Sequence, residues 1–333
     1  MQRIGRKRGF MLAALFGITG GIVATVAIMV SSFWMFVASS VFIGIFNGFG
    51  NYFRFAAADS VGTEHKSRAI SYVMVGGVVA AIVGPNLANI TRDSIAGVQF
   101  AGSYMSIIVI YLLALVSLSF LKLPSQRDLT DSEDIRKPRS LRVIARQPKL
   151  IVAIMSSMLG YGVMSFVMTA TPLAMNHYDH TFSDTSFVIQ WHVLGMFAPS
   201  FFTGSLVNRF GVSRVMFVGV MLGFACVAVN LLGHSVGHYW LALTLLGVGW
   251  NFLFIGGTML LTETYRPEER SKTQAMNDFS VFSTVAVASL TAGSLHHNLG
   301  WQMVNYGVIP LLVIILISIL WLMKKERNQT ETQ

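Results

Sequence analysis

The side chains able to do chemistry are few and scattered in this sequence. Fifteen Asp and Glu, eight His and a single Cys, Cys226, are spread over 333 residues, and none falls into a catalytic spacing. There is no phosphate-cradling Walker loop, no H-E-x-x-H, no G-x-S-x-G and no G-x-G-x-x-G, so ATP-driven work and the familiar hydrolytic and redox chemistries are not expected. Six histidines, His177, His180, His234, His238, His296 and His297, are dispersed over three loops with few carboxylates beside them. That is a poor donor set for a structural metal, and neither a metal nor a cofactor is expected.

The remaining polar chemistry lies inside apolar segments, where an ionisable or amide group is the default functional flag. Asn47, Tyr161, Ser165, Gln190, His192 and Asn251 are the candidates for a substrate cavity. Gln190-Trp191-His192 sets an imidazole beside an aromatic, but adjacent helical residues point about 100° apart and do not share one face. His192 reads either as a buried hydrogen-bonding residue or as a proton carrier. Met158, Tyr161, Ser165 and Met168 do share a face at helical spacing; such a surface suits an adaptable apolar ligand, and equally suits packing or lipid contact. Arg54 reads as a snorkelling side chain, and Asp278 as a carboxylate near a helix N-terminus or facing an inner-loop arginine.

These residues must be positioned by overwhelmingly apolar segments. Hydrophobic residues make up 53%, charged residues 12%, and mean hydropathy is +0.61. A soluble domain carries about 25% charge, so the composition points to an all-α integral membrane protein. Ten runs are long enough to span a bilayer: 9–31, 33–57, 67–90, 99–122, 149–172, 184–207, 212–232, 236–262, 272–293 and 299–323. With the N-terminus in the cytoplasm, all the Lys and Arg except Arg54 and Arg92 fall on inner segments, the bias that sets orientation in a cytoplasmic (inner) membrane. The net charge of +9 is therefore a topology signal and implies no nucleic acid. The basic start followed by a long apolar run reads as a retained first span rather than a cleaved leader. The expected domains are a four-helix bundle over 1–122, a polar cytoplasmic linker over 123–148, a six-helix bundle over 149–323 and a cytoplasmic tail over 324–333.

The two bundles carry a repeat. Arg3, Gly5 and Arg8 recur at one common offset as Arg209, Gly211 and Arg214, and Glu64 to Arg68 recurs as Glu268 to Lys272. Asp59 and Glu263 stand five residues before those acidic starts. A parallel duplication about the membrane normal is expected.

The stretch Gly204 to Arg214, with Asn208, Arg209, Gly211 and Arg214, resembles the G-x-x-x-D-R-x-G-x-x-R loop of the major facilitator superfamily. The first copy starts at Gln2-Arg3-Ile4-Gly5, inside the motif. By this resemblance the ten spans correspond to family helices three to twelve, the first two being absent. Gly84-Pro85 is similar to the fifth-helix motif of drug/proton antiporters; its bland reading is close helix packing. The family's R-x-x-Q-G is matched only by Gly44 to Gly48, with Asn47 for Gln and no Arg, which leaves a coupling proton open. The resemblance implies a secondary transporter of a small organic solute, an efflux permease working by alternating access. It also implies a gate in which Arg209 pairs with Glu263 and Arg3 with Asp59. The other reading is a truncated, non-transporting paralogue acting as a partner or regulator.

Overall fold

A computed structural model describes residues 5–50, 52–53, 56–57, 66–121 and 139–330. Arg3, Asp59, Arg54 and most of the expected linker lie outside these residues. Every element among the described residues is helical, as a lipid-embedded backbone requires when water cannot satisfy its N–H and C=O groups. Seven of the helices are long and apolar enough to cross a membrane. The chain divides into two compact units, Met1–Glu133 and Asp134–Gln333.

The first unit holds α1 (Arg6–Met29), α2 (Phe33–Gly50), α3 (Lys66–Thr91) and α4 (Ala101–Phe120). Helix α1 packs on α2 and α4, and α3 packs on α4. Phe10, Ala14 and Leu118 make a small core there. At one end, Lys7 at the start of α1 donates to the Ser119 carbonyl at 2.6 Å.

The second unit holds α5 (Leu141–Ala145), α6 (Pro148–His177), α7 (Phe182–Phe197), α8 (Ser200–Phe210), α9 (Val212–Leu232), α10 (Val236–Thr262) and α11 (Arg270–Thr330). Its core runs through Leu150, Val167, Val220, Leu243, Leu260 and Ile315. Helix α10 is the hub, packed on α6, α7 and α9. Glycines let it approach that closely: a Cβ on Gly249 would lie 2.8 Å from the Gly219 carbonyl oxygen of α9, and one on Gly247 would run into the His192 carbonyl of α7.

The expected run 184–207 is covered by α7 and α8, which meet at a kink: Ala198 and Pro199 keep right-handed helical dihedrals, but Pro199 has no N–H to continue the ladder. The expected runs 272–293 and 299–323 are covered by two helical arms of α11, 270–299 and 301–330, which break at Gly300 (φ 77°, ψ 176°). The repeat is visible in the backbone. Gly5, before α1, has φ 80° and ψ 154°, and Gly211, before α9, has φ 86° and ψ 149°. That is a left-handed extended conformation open essentially to glycine alone, so each copy of the motif needs its Gly to turn the chain into the next helix.

The break at Pro199 is held from α10. The Asn251 amide donates to the Met196 carbonyl at 2.6 Å and to Ser200 Oγ at 2.7 Å, and the Thr203 hydroxyl lies 2.7 Å from Asn251 Oδ1. Asn251→Leu leaves the Met196 carbonyl orphaned in a dry interior and is expected to cost about 1–3 kcal/mol. Thermal unfolding in detergent checks this; an unchanged midpoint would show that the break needs no staple.

Candidate functional site

The two ends of the second bundle are tied differently. At one end, Glu269, 1% exposed, sits in a short 3-10 turn over Pro267–Glu269 before α11. Arg139 reaches it three times: its backbone N–H and its Nε both donate to Oε1 at 2.8 Å, and Nη2 donates to Oε2 at 2.7 Å. The Arg266 N–H adds a fourth bond at 3.0 Å. Arg139 and Gln147 also both donate to the Thr264 carbonyl. The Arg139 guanidinium pulls the Glu269 carboxyl down to about 2.

At the opposite end, Tyr178 stacks on His234 at 3.9 Å between ring centroids, and His180 Nε2 lies 2.6 Å from the His234 carbonyl. Burial, with His238 and His180 nearby, holds the His234 imidazole below its usual range. Trp301 Nε1 donates to the Asn230 carbonyl at 3.3 Å, and Asn230 donates to Asn305 at 2.8 Å, which joins α9 to the second arm of α11. Among the described residues no three His, Cys, Asp or Glu are placed to hold a metal.

Between the ends, four helices converge on an aromatic cluster. Trp250 and Phe254, one turn apart on α10, stack with centroids 4.9 Å apart and planes 10° apart. Tyr161 of α6 stands edge-on to both, at 5.2 and 5.5 Å. Phe282 of α11 lies 6.3 Å from Tyr161, and Phe197 of α7 lies 6.5 Å from Trp250. Trp250 is 8% exposed and Phe282 45%, so the cluster is buried at Trp250 and open at Phe282.

Of the expected cavity residues, Tyr161 alone joins this cluster. Ser165, a turn along α6, is buried and 2.8 Å from Ser289 of α11. His192 is fully buried; its Nδ1 donates to the Leu243 carbonyl at 2.8 Å, while Nε2 has no partner. Gln190 is half-buried on α7, Asn251 is engaged at the Pro199 break, and Asn47 lies exposed on α2 of the other unit. The motif residues Arg8, Asn208, Arg209 and Arg214 are exposed near helix ends, and Gly204 is exposed inside α8. Arg209 does not meet Glu263: its guanidinium sits over the Phe210 ring at 5.2 Å, and Glu263 pairs with Lys149 at 2.5 Å. Asp278 is exposed on α11, 3.3 Å from the Asn277 amide. Gly84 and Pro85 lie inside α3, where a Cβ on Gly84 would meet nothing, so no close packing rests on it among the described residues.

Sequence reasoning missed Phe197, Trp250, Phe254 and Phe282. The available signal was the Trp250–Phe254 pair at i, i+4 on an apolar span.

Apolar helices long enough to span a bilayer, in two compact units, define a polytopic helical membrane protein. The comparisons with known proteins make the class specific. The sequence pattern of the Major Facilitator Superfamily matches residues 1–189 and 155–333, and the chain belongs to that family. It is 43% identical over 332 residues to the riboflavin transporter RfnT of Brucella anthropi, a match covering 99% of this chain and 83% of that one. It is 26% identical to YddS of Bacillus subtilis (strain 168), an uncharacterized MFS-type transporter, over 97% of this chain and 78% of that one. Its fold is similar to that of the MFS transporter FucP in the outward conformation (TM-score 0.62, 14% identity). It is equally similar to a bacterial homologue of the iron transporter ferroportin in an outward-facing state (TM-score 0.62, 15% identity). Each of these two alignments covers 96% of this chain and 84% of the other.

Proposed function

We propose that this chain is a secondary transporter that moves riboflavin, or a flavin with the same planar ring, across the cytoplasmic membrane by alternating access. The observation that carries this reading is the 43% identity, over nearly the whole chain, to a transporter named for riboflavin. The open aromatic cluster supports it, since a flat heteroaromatic solute is held best by rings. In this reading ten spans, four and six, flank the linker. Both termini are cytoplasmic, and the Arg139–Glu269 end of the second bundle faces the cytoplasm, as the positive-inside pattern supports. Gradients rather than ATP drive the movement, and a proton is the candidate coupling ion.

Expression in a bacterium that cannot make riboflavin tests the reading. The expected result is saturable movement of labelled riboflavin, competed by unlabelled riboflavin and by its tail-free ring, but not by fucose. Sidedness, read in preloaded and empty vesicles, decides whether export, the direction expected from the sequence, is correct. Protein present in the membrane with flux equal to the empty-vector control would overturn the reading.

A further inference from the structure

We infer that Tyr161, Trp250, Phe254 and Phe282 form the face on which the planar ring of the solute stacks, and that the Trp250 indole N–H is the donor that orients the ring through one of its carbonyls. This rests on the flavin reading above and assigns it to atoms.

Three observations carry the inference. An aromatic cluster that only filled a core would be closed. Here Trp250 and Phe254 present parallel rings, Tyr161 stands edge-on to them, and Phe282 leaves one side open at 45% exposure. That open side is not a lipid-facing one. Asp278 lies four residues before Phe282, on the same face of the arm, and is exposed. A carboxylate at this depth belongs beside a water-filled path or the bundle interior rather than acyl chains.

The third observation is an unmet donor. Trp250 Nε1 is buried with no hydrogen-bond partner, whereas a buried tryptophan N–H normally finds one. A ring carbonyl arriving beside the indole would satisfy it. Aromatic rings beside one unpaired donor are what a planar ring carrying a carbonyl on its edge requires.

The test uses the purified full chain in nanodiscs and the fluorescence of riboflavin, which falls when the ring stacks on indole or phenol. The probes are riboflavin and its tail-free ring, lumichrome. Wild-type protein is expected to quench both. Phe282→Ala, at a half-exposed position, is expected to weaken binding of both about ten-fold, the size of one lost stacking partner, with little change in thermal midpoint. Trp250→Phe keeps a ring but removes the N–H and is expected to weaken both about five- to ten-fold, the size of one neutral hydrogen bond. Trp321→Leu, at an exposed position on the second arm of α11, is the control and should bind as wild type does. If wild type binds riboflavin while Phe282→Ala and Trp250→Phe bind it equally well, the stacking face is refuted and the transport reading stands. If wild type binds neither probe, the flavin reading itself fails and the inference falls with it.

Discussion

Replacing Gly247 by valine is expected to separate α7 from α10 and to lower the thermal midpoint of the purified protein sharply. A Cβ at this position meets the His192 carbonyl, and the reverse contact is as tight: a Cβ on Gly195 of α7 would lie 2.9 Å from the Thr244 carbonyl of α10. The obstacles are backbone atoms, which cannot rotate aside, so both helices must move. Overpacking costs about 1–3 kcal/mol and occasionally more; this crossing belongs at the upper end because it also carries the His192–Leu243 bond. Gly204→Ala gives the contrast. A Cβ there would meet nothing, and alanine is better than glycine inside a helix by about 0.5–1 kcal/mol, so the midpoint should hold or rise. Equal midpoints for the two variants would show that glycine spacing does not set the α7–α10 distance.

Glu269→Gln is expected to release the start of the second unit from the turn before α11, lowering the thermal midpoint by several degrees and opening the chain to trypsin at Arg139. The neutral amide keeps the shape but cannot accept the paired guanidinium bonds that a carboxylate accepts. The pH dependence follows from the depressed carboxyl. A folded value of about 2 against an ordinary 4.5 means that the contribution is complete above the ordinary value and disappears as pH falls through the folded one. The gap between wild type and variant should therefore be flat between about pH 5 and 8 and should narrow below about pH 4. A gap that closes already near neutral pH, or none at pH 7, would show that the Arg139 bonds contribute nothing.

The membrane class and the family were legible because hydropathy and the loop motif act locally. Gly5 and Gly211 could be matched by sequence since a single backbone conformation dictates glycine at both. The break at Pro199 was not legible in the same way. A hydropathy window sees only apolar residues from 184 to 207, and the polar group that makes the break tolerable, Asn251, comes from another helix. His296-His297-Asn298 reads as a loop by polarity, yet the first arm of α11 runs on to Gly300, where the backbone leaves the helical region (φ 77°, ψ 176°). The Arg209–Glu263 pairing was expected from symmetry between the repeats. Lys149 takes Glu263 instead, because ion pairs between helices follow crossing geometry that spacing along the chain does not encode. Arg139 looked like one more inner positive charge until the fold brought it to Glu269. Tyr161 was found from its own helix face, whereas its partners come from three other helices.

The lone thiol of the chain has a consequence for how this bundle can be studied. Cys226 is 1% exposed on α9, 3.7 Å from the Asn230 amide that links α9 to the second arm of α11. A water-soluble alkylating reagent reaches it only when those helices part. Its modification rate is therefore a clock for the opening of the second bundle, read without introducing any probe, and its ratio to the rate of a fully exposed thiol gives the free energy of that opening where reclosing is fast.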